Sequence, residues 1–110
     1  MRASTAFKRL LRLRGVNVTA VEWSAGTVMV TVTLRRRRAV CSHCRFSTAM
    51  AHDLRPGMSR WRHLDLGRWR VEVQARLRRV RCPTHAVVVE GVPFAGPGAH
   101  LTRDFDDLLA

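Results

Sequence analysis

Apolar and polar positions alternate through much of this chain. The clearest run covers residues 28–35, where a period of two places four apolar side chains on one face: Val28, Val30, Val32 and Leu34. This period is typical of a half-buried β-strand. Residues 16–23 also have an extended character, and the turn signal Ser24-Ala25-Gly26 joins the two runs. The pattern therefore predicts an N-terminal β-hairpin.

Two further alternating runs follow. Residues 60–66 predict a strand with Trp61, His63 and Asp65 on one face. After a turn at Gly67, a second set of apolar positions shares one face: Trp69, Val71, Val73, Ala75 and Leu77. We expect shorter strands at residues 45–51 and 86–90, and a loop at residues 53–59 around Pro56-Gly57. The strand after residue 28 is expected to run through four arginines to Cys41, and the strand after residue 69 to run on to Cys82.

Helical periodicity is confined to the two ends. Ser4 or Thr5 can cap a short helix that ends at Gly15. Near the C-terminus Thr102 can cap a second helix, whose first turn carries the acids that suit a helix N-terminus: Asp104, Asp106 and Asp107. The pattern predicts a mostly β (α+β) fold, an antiparallel sheet with a short N-terminal helix and a C-terminal helix start.

The charge balance is strongly basic. The 110 residues contain 20 Lys and Arg against 8 Asp and Glu, a formal net charge of +12. An excess of this size attracts polyanions and gives salt-sensitive binding. No apolar run approaches the roughly 20 residues that span a bilayer, and no signal peptide is recognisable. We expect a soluble cytoplasmic protein with no membrane partner.

Two short motifs use every cysteine of the chain. They are Cys41-Ser42-His43-Cys44 and Cys82-Pro83-Thr84-His85. Three thiolates and one imidazole form a complete tetrahedral ligand set for a structural zinc ion. The 37 residues between the motifs exceed the usual spacing of roughly 15–20 in a compact ribbon, but they have room for strands that return to the first motif. The predicted metal ligands are Cys41, Cys44, Cys82 and His85, and the predicted cofactor is Zn²⁺. The sheet is therefore expected to be zinc-ribbon-like. We divide the chain into a helix and hairpin segment at 1–40 that packs on the zinc domain, a zinc-ribbon-like domain at 41–95, and a linker with the start of a following helical region at 96–110.

Other interpretations of these residues stay open. The cysteines can be scattered buried side chains, or the C-x2-C motif can serve redox chemistry. A catalytic zinc would keep an open position for water, which four protein ligands do not leave. His43, inside the first motif, can compete with His85.

Arginines cluster around the predicted strands and the two motifs. Guanidinium groups match phosphate oxygens in pairs. We select as candidate DNA contacts Arg36, Arg38, Arg60, Arg62, Arg68, Arg70, Arg78 and Arg79. The alternative is a solvated sheet face whose charges protect its edges. Trp23, Trp61 and Trp69 suit either base stacking or a core.

Several segments together resemble the N-terminus of a family of bacterial insertion-sequence transposases, the ISL-three group. They are Leu11-x-Leu13-x-Gly15-Val16-x-Val18-x-x-Val21-Glu22, the basic strand before Cys41-x2-Cys44, the run from Arg78 to His85, residues 89–95, and Thr102-Arg103-Asp104-Phe105. The resemblance implies a zinc finger, then a helix-turn-helix, then a catalytic core with an acidic (DDE) triad. The zinc ligands correspond to Cys41, Cys44, Cys82 and His85, whereas the catalytic acids have no counterpart here, and no other catalytic motif is present.

We therefore predict a non-enzymatic, zinc-binding DNA-binding domain of a transposase, which helps to recognise transposon-end DNA. Its expected partner is DNA, at the terminal inverted repeats, and a second candidate partner is the full-length transposase, by self-association. The alternative function is a protein-interaction or oligomerisation module, or a truncated transposase that acts as a regulator.

Overall fold

Nine strands build the part of the chain that the computed structural model describes, residues 13–96 and 98–102. In chain order they are β1 (Val16–Ser24), β2 (Thr27–Leu34), β3 (Ala39–Val40), β4 (Ser47–Thr48), β5 (Asp53–Leu54), β6 (Ser59–Leu66), β7 (Trp69–Ala75), β8 (Arg78–Cys82) and β9 (Ala86–Val89). The predicted mostly β class is confirmed. The helices predicted near both termini lie outside the described residues.

The strands form three sheets rather than one. A four-stranded sheet has the order β1-β2-β7-β6, a second sheet pairs β3 with β4, and a third has the order β5-β8-β9. The predicted single antiparallel sheet is wrong, because β2 and β7 pair in parallel. β2 forms an antiparallel hairpin with β1, and β7 forms one with β6. The two most apolar strands, β2 and β7, therefore lie at the centre of the sheet, and β1 and β6 form its edges. β2 precedes residue 40 and β7 follows it, so the predicted domain boundary at residue 40 separates two strands of one sheet. The domain division stays a prediction.

The predicted hairpins are present. Ala25 and Gly26, with φ of 45° and 81°, connect β1 to β2, in agreement with the left-handed conformation that tight hairpin turns require. Gly67 lies in the turn between β6 and β7. Trp61 and His63 share one face as predicted, and that face is buried, but Asp65 is exposed, because the register of β6 shifts between His63 and Leu66.

Neither long strand reaches a cysteine motif. β2 ends at Leu34, beyond which the Arg35 amide donates a last hydrogen bond of 2.9 Å to the Gly15 carbonyl. β7 ends at Ala75, and Leu77 turns into the core. The short strands β3 and β8, in the two smaller sheets, deliver Cys41 and Cys82 instead. The predicted loop at residues 53–59 begins with β5, which pairs with β8.

The main core covers one face of the four-stranded sheet. Its centre consists of valines of the two middle strands: Val28, Val30, Val32, Val71 and Val73. Leu13, Leu77, Phe94 and Ala95 cover them, and the Trp61 and Phe94 rings meet edge to face at 4.8 Å. Each buried valine contributes roughly 1.5–3 kcal/mol. Residues 100–102 run along the outer edge of β6, where the Thr102 amide donates to the Arg62 carbonyl at 2.9 Å.

Candidate metal centre and basic surface

Short strands position the two cysteine motifs against each other. Cys41 directly follows β3, and Cys82 is the last residue of β8. Because β2 and β7 are parallel, their carboxyl ends lie at the same edge of the sheet, and the chain leaves that edge toward both motifs. We call residues 39–54 and 78–91, which carry β3, β4, β5, β8 and β9, the knuckle region.

The four predicted ligands converge. The ligand atoms of Cys41, Cys44, Cys82 and His85 all lie within 4.8 Å of one another. The Sγ atoms of Cys44 and Cys82 are 3.6 Å apart, and His85 Nδ1 lies 3.6 Å from Cys41 Sγ and 3.5 Å from Cys82 Sγ. In a tetrahedron with metal–sulfur bonds of about 2.3 Å and metal–nitrogen bonds of about 2.0–2.1 Å, ligand atoms are separated by roughly 3.5–3.8 Å. These three distances therefore fit a tetrahedral metal ion of the size of zinc.

Backbone amides point at the sulfur atoms, as suits thiolates. The His43 amide donates to Cys41 Sγ at 3.4 Å, and the Phe46 amide donates to Cys44 Sγ at 3.5 Å. Burial alone would raise the pKa of the Cys82 thiol, but hydrogen bonds from the Thr84 and His85 backbone and the side chains of His85 and Cys44 lower that pKa to about 6. A thiolate at Cys82 is thus accessible near neutral pH, and the thiolate is the form that binds metal.

His43 lies outside the cluster. Its side chain is exposed, and its ring centre is 5.3 Å from that of His85. His85 is the histidine whose nitrogen lies among the sulfur atoms.

A buried ion pair joins β8, the residue after β9 and the segment that leads to the first motif. Glu90 is 3% exposed, and its carboxylate accepts bonds from Arg78 Nε at 2.9 Å, Arg78 Nη2 at 2.9 Å and the Arg78 amide at 2.7 Å. These bonds, of which the side-chain pair is the largest cause, raise the pKa of the Arg78 guanidinium. Arg78 Nη1 also donates to the Arg37 carbonyl at 2.7 Å, so one guanidinium links β8, Glu90 and the segment before β3.

Glycine allows a close approach beside the first motif. The Gly91 amide donates to the Val40 carbonyl at 2.8 Å, and its carbonyl accepts a bond from Arg36 Nη2. A Cβ at residue 91 would lie 3.3 Å from Ser42 Cα, which is tighter than ordinary van der Waals contact. Residues 90–91 are therefore packed directly on the backbone of the first motif.

The eight predicted DNA-contacting arginines fall into different environments. Arg60 and Arg68 are exposed and make no ion pair with the described residues. Arg62 pairs with Asp65 at 3.2 Å and Arg70 with Glu72 at 3.8 Å on the surface. Arg38 is exposed and donates to Ser47 Oγ at 3.0 Å, whereas Arg36 is half-buried.

Arg78 and Arg79 are occupied by carboxylates. Arg79 pairs with Asp53 across β5 and β8, and hydrogen bonding to the Arg79 guanidinium holds the pKa of the Asp53 carboxyl below its usual range. Arg78 is held by Glu90. These two arginines thus have a structural partner that the sequence did not reveal.

Sequence reasoning missed the role of two residues. Glu90, the sole acid in the apolar run Val87-Val88-Val89-Glu90, is a buried ion-pair partner, and an acid that continues an apolar strand was the available signal. Asp53 lies in the segment for which the sequence predicts a loop, and nothing near it in the sequence identifies Arg79 as its partner.

Comparison with known proteins gives one relationship. No known protein-family profile matches the chain, and no solved structure matches it. A membrane-spanning helix, which must be long and apolar, is not found among the described residues. The chain is 39% identical over 79 residues to the transposase for insertion sequence element IS1557 of Mycobacterium tuberculosis, in strain CDC 1551 / Oshkosh and equally in strain ATCC 25618 / H37Rv.

The match covers 70% of this chain but spans only 18% of the length of those relatives. Over most of its length, this chain is homologous to a short segment of an insertion-sequence transposase.

Proposed function

We propose that this chain is the zinc-binding, DNA-binding part of an insertion-sequence transposase of the ISL-three group and contributes to recognition of transposon-end DNA. The observation that carries the proposal is the 39% identity to a transposase over 70% of the chain. A protein that mobilises a DNA element must bind that DNA, and a basic domain is a suitable part to do so. Such a protein would act in the bacterial cytoplasm.

The cluster of three thiols and one imidazole supports zinc as the cofactor. Sulfur-rich tetrahedral sites of this composition are typical of structural zinc, and a full set of four protein ligands leaves no open position for catalysis. In this proposal Cys41, Cys44, Cys82 and His85 hold the ion, which fixes the knuckle region.

The charge distribution supports DNA as the partner. Arg60 and Arg68 are exposed without a carboxylate partner among the described residues. Arg38, the residue before the knuckle region, is exposed as well and donates to Ser47 Oγ at 3.0 Å. Arg62 and Arg70 are half neutralised by surface acids, which phosphate oxygens can replace because surface ion pairs are weak. Arg36, Arg78 and Arg79 are engaged within the fold, and we propose that they position the contact surface.

We propose that this segment performs no chemistry of its own. Among the five acids of residues 13–96 and 98–102, four lie beside an arginine: Asp53, Asp65, Glu72 and Glu90. No group of three acids comes together in that part of the chain. Strand cleavage would then belong to the remainder of a full-length transposase.

A salt series with duplex DNA tests the proposal. The zinc-loaded chain should bind a duplex that carries the terminal inverted repeat of its own element more tightly than a scrambled duplex of equal length. Arg68→Ala should reduce the slope of log affinity against log salt by about 1, as expected for one lost phosphate contact. Arg14→Ala removes the same charge from an exposed residue outside the predicted set and serves as the control. Equal affinity for both duplexes would refute end recognition, and no binding at low salt would refute DNA binding.

Self-association is the second candidate function. Trp23 is 50% exposed, although it packs edge to face against Trp69 at 5.0 Å, and it lies on β1, the edge strand of the four-stranded sheet. Large exposed aromatic side chains at a sheet edge favour protein contacts. A monomer whose mass in light scattering is independent of concentration would refute this candidate, including a regulatory role for a truncated transposase that acts by mixed assembly.

A further inference from the structure

A groove lies between the first cysteine motif and the start of β6. Its volume is about 710 Å³, within the range of roughly 300–1,000 Å³ that is usual for small-molecule sites. Its lining includes Cys41 and Ser42 of the first motif and residues 58–61 at the start of β6. Residues of 91–96 and 98–100 also line it. Of the four predicted metal ligands, Cys41 alone is among the lining residues.

Three guanidinium groups line this groove without a carboxylate partner. Arg36, Arg55 and Arg60 all contribute to the lining, and none of them forms an ion pair with a described acid. Arg36 Nε is buried and has no hydrogen-bond partner in the described structure. The one acid in the lining, Glu90, is already neutralised by Arg78. Arg36 Nη2 donates to the Gly91 carbonyl, and Arg55 Nη1 donates to Ser59 Oγ at 2.5 Å. The other guanidinium N–H groups of Arg55 and Arg60, both exposed, can donate to an anion such as phosphate.

The rest of the lining is apolar. Met58, Leu77, Val89 and Val92 contribute to it, together with the small exposed part of Trp61. Met58 is 42% exposed, and its flexible apolar side chain can adapt to a bound group. The groove thus combines cationic groups for an anion with an apolar wall for a flat, weakly polar group.

We infer that the groove binds one nucleotide unit of an unpaired DNA strand, with its phosphate on the guanidinium groups of Arg55 and Arg60 and its base against the apolar wall. This inference rests on the proposed function, because it makes the groove a contact additional to the duplex-binding surface. Single-strand sites in proteins combine these two elements, a positively charged groove and apolar or aromatic surfaces for the bases.

Gly96 provides a way to fill the groove. It lines the groove, its φ is outside the left-handed region, and a Cβ added there would meet no atom within 4 Å. Gly96→Phe should therefore place a ring in open space without backbone strain. Ala49→Phe adds a similar ring at an exposed residue outside the groove and is the matched control.

The test uses the zinc-loaded full chain and a labelled oligothymidylate of about eight nucleotides, followed by fluorescence anisotropy. Gly96→Phe should weaken single-strand binding by at least about tenfold, and Arg55→Ala by about three- to tenfold. An abasic strand of equal length, which keeps the phosphates, should bind about tenfold more weakly than oligothymidylate. Ala49→Phe should bind like the unmodified chain. In nuclear magnetic resonance the indole N–H signal of Trp61 should shift on binding.

Three results would overturn the inference: unchanged single-strand affinity of Gly96→Phe with the zinc content intact, equal affinity for the abasic strand, or a Trp61 signal that does not move at saturation. Duplex binding, measured in parallel, separates this inference from the proposed function. Loss of single-strand binding alone in Gly96→Phe supports the groove, whereas a chain that binds oligothymidylate but no duplex would refute end recognition and leave the groove in place.

Discussion

The four-stranded sheet and the knuckle region are stabilised in different ways. The sheet buries a continuous apolar core in which valines of β2 and β7 face Trp61 and Phe94. The knuckle region buries four hydrophobic residues, Ala39, Cys41, Val80 and Cys82, and none of them belongs to that core. Its strands are two to five residues long, too short to be stable by pairing alone. The sheet is therefore held by apolar burial, and the knuckle region depends on the metal site and on the Arg78–Glu90 pair.

The largest effect is expected at the metal site. Cys82→Ser removes one ligand from the cluster, and structural zinc supplies roughly 10–16 kcal/mol of apparent free energy that is coupled to folding. We expect one zinc per chain in the unmodified protein and none in this variant, by elemental analysis. His43→Ala, which changes an imidazole outside the cluster, should keep its zinc. Full zinc occupancy in Cys82→Ser would contradict the assignment.

The next effect concerns the buried ion pair of the knuckle region. Glu90→Ala leaves the Arg78 guanidinium half-buried without its partner, and the loss of one member of a buried ion pair destabilises by roughly 3–5 kcal/mol. Denaturant unfolding of the zinc-loaded protein measures this. If Glu90→Ala were as stable as the unmodified chain, the pair would not stabilise the knuckle region.

A smaller effect is expected inside the sheet. Val73→Ala removes two buried methyl groups from the centre of β7, which lowers stability by about 2–3 kcal/mol when the cavity is included. Because the core and the metal site are separate, zinc stoichiometry should remain one per chain at temperatures where the variant is folded. Loss of zinc from the folded variant would show that the two regions are not independently stabilised.

The smallest effect is expected on the surface. Asp65→Asn breaks the surface ion pair between Arg62 and Asp65, whose side chains are 33% and 47% exposed, respectively. It should change the free energy of unfolding by less than about 1 kcal/mol. It serves as the control for Glu90→Ala in the same denaturant series. If Asp65→Asn destabilised the chain as much as Glu90→Ala does, burial would not be what makes the Arg78–Glu90 pair more stabilising than a surface pair.

The sequence predicts local features of both regions well and their connections poorly. The two-residue period at 28–35 and 69–77 identifies the buried valines, because alternation directly reports which face of a strand is covered. Similarly, the short spacing within each cysteine motif is enough to identify the four residues that converge.

Contacts between distant residues were not predictable in this way. The parallel pairing of β2 with β7 depends on how two hairpins meet, which no local period encodes. The pairing of Glu90 with Arg78 likewise depends on the β8–β9 hairpin, and the groove depends on the segment after Gly91, which has no periodic pattern. The pattern predicts that β2 continues through residues 35–38, whereas β2 ends at Leu34. An extended pattern does not reveal where the neighbouring strand, and with it the pairing, ends.

Hydrogen exchange with and without a metal chelator tests whether the metal site holds the knuckle region while apolar burial holds the four-stranded sheet. With zinc bound, amides of β2, β7, β3 and β8 should all be protected. After chelation we expect the amides of β3 and β8 to exchange at the rate of unstructured chain, while Val30, Val71 and Val73 in the sheet remain protected. Unchanged protection of β3 and β8 after the metal has been removed would contradict the account, as would simultaneous loss of protection in the whole sheet.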